Sequence, residues 1–156
     1  MATKNQISFI HVIKSKMALP DDDYRSLLAQ FDNATSSKDL CVTDAIEFTE
    51  LMLKMAHQKG VEIEDRSVAL VKKSDIIAHL QSLGSRPGMA TQKQLVMIVM
   101  MWWNKSRMTT DKERFSALNH LLRNKFAIER IEWVPIELVR KIVAQISSIK
   151  GESDHG

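Results

Sequence analysis

The same helix-start signal occurs twice in this chain, 88 residues apart. Thr3-x-x-Gln6 opens the sequence and Thr91-x-x-Gln94 recurs in its second half, each followed by an apolar run. In a capping box of this kind, the threonine hydroxyl accepts the backbone N–H three residues on, and the glutamine side chain accepts the N–H of the threonine. Each copy therefore predicts the start of a helix, and we interpret each helix as the first of a module.

Both halves of the chain continue with the same order of helices. Apolar residues at spacings of three and four predict helices over 6–18, 21–31 and 44–58, and again over 91–103, 110–126 and 136–149. We expect Thr43 to cap the third helix, and Ile128, Ile131 and Trp133 to be apolar anchors before the last. The pattern predicts an all-α fold of two small three-helix modules, and an internal duplication is a hypothesis that it suggests.

A turn-rich segment separates the two modules. Gly84-Ser85-Arg86-Pro87-Gly88 breaks the helical pattern, and Ser74 is a predicted cap for a short helix just before it. We therefore predict an N-terminal module over 1–60, a linker with a short helix over 61–89, and a basic module over 90–150. Residues 151–156 are polar and are predicted to be a disordered tail.

Composition limits the protein class. Only five glycines and three prolines among 156 residues favour helix over sheet. No apolar run reaches the roughly 18–20 residues that a membrane span needs, so no membrane association is expected. The single cysteine, Cys41, cannot form an internal disulfide. We therefore expect a cytoplasmic protein.

Charge is unevenly distributed along the chain, although the net value is only +3. Residues 1–60 carry seven Lys and Arg against eight Asp and Glu, and residues 61–89 carry four against four. Residues 90–150 carry eleven against five. The second module is therefore where a polyanion such as DNA would bind, while a solvated basic face remains the alternative.

The sequence offers no constellation of catalytic or metal-binding residues. The five histidines are scattered, and none stands at zinc-ligand spacing from another histidine or from Cys41. Asp21-Asp22-Asp23 fits the first turn of a helix, where carboxylates favour the positive end of the helix dipole, better than a metal site. We expect no enzyme activity, no cofactor and no metal.

A candidate binding surface lies in the second module. Trp102 continues an inner apolar stripe, whereas Trp103 points about 100° away and either packs inside as well or stays partly exposed beside basic residues. An exposed tryptophan there could stack on a base or anchor a protein partner. The candidate nucleic-acid or partner-binding residues are Trp103, Lys105, Arg107, Lys112, Arg114, Arg123, Lys125 and Arg130. No helix carries a base-reading set, so the contact predicted is with phosphates and not with a specific sequence.

Two motifs give the chain a recognisable character. The first is Ile7-x-x-Ile10-His11-x-x-Lys14 followed by Leu19-x-Asp21-Asp22-x-Tyr24-Arg25-x-Leu27-Leu28. The second is Ala90-Thr91-x-x-Gln94-Leu95-x-x-Ile98-x-x-Met101-Trp102 followed by Phe126-x-Ile128-x-x-Ile131-x-Trp133. Together they resemble the GemA family of Mu-like bacteriophages and prophages. The resemblance implies a phage regulatory protein in the bacterial host cell that alters host gene expression and reduces DNA supercoiling, with gyrase as a candidate host partner.

Two functions stay open on these grounds. The first is a non-enzymatic regulator that acts on host DNA transactions through DNA, a host protein such as gyrase, or both. The second is a recombination or replication accessory whose second module binds single-stranded DNA or a partner protein. The sequence predicts no oligomeric state.

Overall fold

The computed structural model describes residues 1–64 and 67–149, and over these residues the fold is all-α. No strand forms among them; extended backbone pairs as an isolated antiparallel bridge between Met89 and Pro135. The predicted fold class is therefore confirmed. The tail predicted to be disordered, 151–156, lies outside the described residues.

The helices follow the order expected from the two capping boxes. They are α1 (Lys4–Met17), α2 (Asp21–Leu28), α3 (Val42–Gln58), α4 (Ser67–Leu70), α5 (Lys73–Gln81), α6 (Gln92–Lys105), α7 (Asp111–Phe126) and α8 (Val139–Ser147). Short 3-10 turns occupy Ser37–Asp39, Ile131–Trp133 and Ile136–Leu138. The chain divides into two compact units, Met1–Ile76 and the residues from Ile77 onward, so that the division lies within α5. The finer limits predicted for the modules and linker stay predictions.

In the first unit, α1 packs mainly against α3. Ile10 and Ile13 of α1 are fully buried, as is Phe48 of α3. The rings of Tyr24 and Phe31 meet Phe48 edge to face, with ring centroids 5.9 Å and 5.5 Å from it. These aromatic contacts fix the connection between α2 and α3 because each ring buries a large apolar area.

In the second unit, α6 packs mainly against α8, with α7 beside it. Leu95 and Ile98 of α6 are fully buried together with Leu118 of α7 and Ile142 of α8. Within one helix the buried residues recur at spacings of three or four, as Leu95 and Ile98 do on α6 and Leu118 and Leu122 on α7, which is why the sequence pattern located the helices.

Both predicted capping boxes are present. Thr3 N–H donates to Gln6 Oε1 at 2.9 Å while Gln6 N–H donates to Thr3 Oγ1 at 3.1 Å. The corresponding distances at Thr91 and Gln94 are 2.8 Å and 3.2 Å. Gln6 also donates through Nε2 to the carbonyl of Val42 at 3.3 Å, which ties α1 to the start of α3.

The units share a further detail of backbone pairing. Ala2 N–H donates to the carbonyl of Leu40 at 2.7 Å, and Ala90 N–H donates to the carbonyl of Val134 at 2.9 Å. In each unit the donor comes just before a capping threonine, and the acceptor directly follows a 3-10 turn. The internal duplication remains a hypothesis to which this common plan adds support.

Several helix ends differ from their predictions. The N-cap of α3 is Cys41, whose sulfur accepts Asp44 N–H at 3.4 Å, and Thr43 lies inside the helix. Helix α5 begins at Lys73, so Ser74 is not its cap. The last α-helix begins only at Val139, because a 3-10 turn occupies the residues after Pro135.

Two helices end on alanine in the left-handed conformation that usually favours glycine. Ala18 after α1 has φ 51°, and Ala127 after α7 has φ 55°. The N–H of each bonds back to a carbonyl of the last helical turn, as in common C-terminal caps. The backbone there is strained because a Cβ disfavours this region.

No helix in the described part of the chain combines the length and the apolar character needed to cross a membrane.

Candidate nucleic-acid interface

The second unit carries most of the positive charge, and its acids are largely engaged internally. Its described residues, 77–149, contain eleven Lys and Arg against five Asp and Glu. Asp111 accepts from Trp103 and Arg114, and Glu113 accepts the hydroxyl of Thr110, the cap of α7. Glu129 pairs with Arg123, and Glu132 is buried near His79. Each of these four carboxylates therefore lies beside a donor or a basic group of the same unit, while the net charge of the unit stays positive.

Trp102 and Trp103 are both packed inside. Each is only 8% exposed. Trp102 Nε1 donates to the carbonyl of Arg114 at 2.7 Å, and Trp103 Nε1 donates to Asp111 Oδ1 at 2.8 Å. The alternative of an exposed Trp103 is therefore wrong, and its indole ring is not placed to stack on a base. Instead the two indoles fasten the end of α6 to the start of α7.

The basic residues nearest to this pair lie around the α6–α7 connection. Lys105 is the last residue of α6, Arg107 is exposed in the connection, and Lys112 is half-buried in the first turn of α7. Arg114 Nη1 lies 3.3 Å from Asp111 Oδ1, so part of its charge is balanced within the helix. These four predicted residues are brought to one end of α7.

The basic side chains along α7 do not form a single stripe. Lys112 and Arg123 are eleven residues apart, so at 100° per residue they point within about 20° of each other. Arg114 and Lys125 share the same spacing, but they point about 200° away from the first two. The buried face that contains Leu118 lies between the two pairs. Helix α7 thus presents positive charge on both flanks of its packed face.

At the other end of α7 stands an exposed tryptophan that the sequence had assigned to the interior. Trp133 is 55% exposed, so its prediction as a buried anchor is wrong. The guanidinium carbon of Arg130 lies 5.5 Å from the centre of its ring, within cation–π range. Arg123 Nε lies 3.6 Å from Glu129 Oε2 in the same region, and Lys125 is exposed nearby in the chain.

The spacing of the buried residues in this segment explains why Trp133 was wrongly predicted to be buried. Ile128, Ile131 and Val134 are buried and follow one another at spacings of three. A 3-10 turn places residues three apart on the same side, so Trp133 turns outward. The sequence pattern grouped Trp133 with Ile128 and Ile131, and the continuation of their spacing of three to Val134 was the signal that was missed.

A buried imidazole–carboxylate pair in the second unit also escaped the sequence analysis. His79 Nε2 and Glu132 Oε2 are 3.9 Å apart, and both side chains are only 8% exposed. The backbone carbonyl of Glu132 accepts from Arg86 Nη1 at 2.5 Å. His79 and Glu132 are 53 positions apart in the sequence, so no local spacing pointed to the pair. These two side chains of the second unit are fewer than the four ligands that a structural zinc site needs.

Helix α6 also exposes methionine side chains. Met97 and Met100 on α6 are each 41% exposed, whereas Met101 is half-buried. One helical turn separates the two exposed residues, which therefore share a face.

Comparison with known proteins gives a family. The family described as "Bacteriophage Mu, GemA protein" matches residues 19–151, which is most of the chain and begins directly after α1 and its C-cap. No curated protein and no solved structure matches. Since the family match spans both compact units, the chain belongs to the GemA family of bacteriophage Mu.

Proposed function

We propose that this protein is a non-enzymatic phage regulator that acts on host gene expression or DNA topology by binding DNA through its second unit. Membership of the GemA family supports the phage setting. The observation that carries the DNA contact is the charge of the second unit, with eleven basic against five acidic residues over 77–149.

The placement of the charges favours contact with a backbone over reading of a base sequence. Basic residues occur at both ends of α7, a helix of 16 residues that is about 24 Å long. Lys112 and Arg123 lie on one flank, and Arg114 and Lys125 lie on the other. Charges spread in this way suit phosphates, which are regularly spaced along a strand, and they supply no row of side chains for base edges.

Binding of fluorescent duplex DNA across a salt series tests the proposal. We expect the logarithm of the affinity to fall linearly with the logarithm of the salt concentration, because each phosphate neutralised releases counterions. Reversing the charge of two exposed residues, Arg123→Glu with Lys125→Glu, should weaken binding and reduce the slope by about 2.

A matched control is available in the first unit. Lys16 and Lys54 are both exposed on helices, so Lys16→Glu with Lys54→Glu changes the net charge equally. If both double variants lose the same affinity, binding follows net charge alone, and the proposed surface is wrong. If the wild type binds no DNA at low salt, DNA is not the target, and a host protein such as gyrase becomes the partner to test by direct binding.

A further inference from the structure

Trp133 is a large apolar ring held out in solvent on a firmly fixed segment. It is 55% exposed, although its neighbours Glu132 and Val134 are buried. Burying the exposed part of such a ring is favourable, and tryptophan is among the residues most enriched at the centres of binding sites. Within the unit, much of the ring stays exposed, so it is available for contact with a binding partner.

The backbone on both sides of the ring is pinned. Val134 N–H donates to the carbonyl of Ile131 at 3.2 Å, and its own carbonyl accepts Ala90 N–H at 2.9 Å. Ile136 N–H donates to the carbonyl of Gly88 at 3.1 Å, around the bridge between Met89 and Pro135. A ring on such a segment loses little freedom when it binds a partner, because its backbone is already ordered.

The ring is paired with a cation. The guanidinium of Arg130 lies over Trp133, 5.5 Å from the ring centre. The two residues are three positions apart, and the 3-10 turn places residues at that spacing on the same side. A planar guanidinium beside an indole presents a stacking surface and a positive charge together.

We propose that Arg130 and Trp133 form a stacking platform for the unpaired bases of single-stranded nucleic acid. The inference rests on the proposed function, since it takes the basic second unit as the surface that meets phosphates, and it adds the kind of strand bound. Bases stack on Trp133, while the guanidinium of Arg130 attracts the backbone.

Charge decides between a nucleic acid and an apolar protein surface as the occupant. The residues from 77 to 149 carry a net excess of six positive charges, and Arg123, Lys125 and Arg130 lie within ten residues of Trp133. A polyanion gains from this field, whereas an apolar partner would have to desolvate the charges. Duplex DNA hides its base faces, so only a single strand can use both the charge and the ring.

Three equally long ligands separate the contributions of charge and stacking: a twelve-nucleotide oligothymidine, an abasic strand, and a duplex. The variant Trp133→Ala removes the ring, and Arg130→Lys keeps the charge but loses the planar group. Ile136→Ala is the matched control, since Ile136 is a large apolar residue on the same segment and is 48% exposed. The fluorescence difference between wild type and Trp133→Phe isolates the emission of Trp133 from that of the two buried tryptophans.

We expect oligothymidine to quench Trp133 and to bind more tightly than the abasic strand. Trp133→Ala should weaken oligothymidine binding by about 5- to 100-fold, because stacking on an aromatic side chain is worth that much per base. Binding of the abasic strand should be unchanged. Trp133→Phe should retain part of the affinity, Arg130→Lys should lie between Trp133→Ala and wild type, and Ile136→Ala should match wild type.

Failure of the stacking platform can be distinguished from failure of the proposed DNA-binding function. If wild type binds oligothymidine and the abasic strand equally and Trp133→Ala changes neither, the platform is refuted while the DNA-binding function stands, and Trp133 is left for a protein contact. If no ligand binds at low salt, the proposed function fails and the platform fails with it. Circular dichroism of each variant confirms that a loss of binding is not a loss of fold.

Discussion

Removing the carboxylate of Asp111 tests whether this residue holds the α6–α7 connection together. Its Oδ1 accepts from Trp103 Nε1 at 2.8 Å and lies 3.3 Å from Arg114 Nη1. It is also the first residue of α7, where a negative charge favours the positive end of the helix dipole. Asp111→Ala removes all three interactions, whereas Asp111→Asn keeps an oxygen that can accept from Trp103 and loses the charge.

The expected cost follows from these contacts. A hydrogen bond to a charged group contributes roughly 1.5–3 kcal/mol. The partly exposed pair with Arg114 adds roughly 0–1 kcal/mol, and the helix dipole adds roughly 0.3–1 kcal/mol. The terms share one carboxylate and are not additive. We therefore expect Asp111→Ala to lower the free energy of unfolding by about 2–3 kcal/mol and Asp111→Asn by about 1 kcal/mol.

Urea unfolding followed by tryptophan emission is the assay, because the three tryptophans of the chain, Trp102, Trp103 and Trp133, all belong to the second unit. Glu137→Ala is the control: it removes an exposed acid from the same unit, and its effect should stay within about 0.5 kcal/mol. Equal urea midpoints for Asp111→Ala and Glu137→Ala would refute the anchoring of Trp103 by Asp111. Equal costs for the Ala and Asn variants would show that charge, and not the indole hydrogen bond, carries the effect.

Three further predictions concern the helix ends. Gln6→Ala should destabilise by about 1–2 kcal/mol more than Gln94→Ala in urea unfolding followed by circular dichroism, since Gln6 also makes a buried hydrogen bond to α3; equal costs would contradict this. Ala18→Gly and Ala127→Gly should each raise the free energy of unfolding by up to about 1 kcal/mol, and with it the urea midpoint, because both alanines have positive φ. Unchanged or lower midpoints would count against backbone strain. The backbone N–H and the hydroxyl of the residue four positions earlier donate to the Asp39 carboxylate and lower its pKa. The stability that the ionised carboxylate contributes is therefore fully present above the ordinary pKa of aspartate, and it is lost as the pH falls through the lower pKa of the folded protein. Asp39→Asn should therefore lose less stability than wild type between about pH 5 and pH 2, and parallel losses would overturn that assignment.

Local signals account for the parts of the fold that the sequence predicted. The two capping boxes formed because their hydrogen bonds join residues three apart, at Thr3 and at Thr91, and such bonds need no tertiary contact. The helices formed where apolar residues recur at helical spacing, since that spacing places a stripe on one side. The all-α class and the order of helices were therefore determined by the sequence.

The candidate surface was predicted only in part. The concentration of positive charge in the second half is a property of composition, and the structure leaves it in one compact unit. Which tryptophan is exposed was decided by packing. Trp103 follows directly after Trp102 but turns inward, because Asp111 on the next helix supplies a hydrogen-bond acceptor for its indole.

The sequence by itself determined where α1 and α6 start, what class of fold the helices build and where the charge lies, because these depend on composition or on neighbours a few residues apart. Only the tertiary structure decided that Trp133 is exposed to solvent beside Arg130 and that His79 lies next to Glu132. The exposure of Trp133 depends on the 3-10 turn that buries Ile131 and Val134, and the His79–Glu132 contact joins residues far apart in the chain. Contacts of that kind are fixed by packing across the unit, where the identity of either residue alone carries no information about its partner.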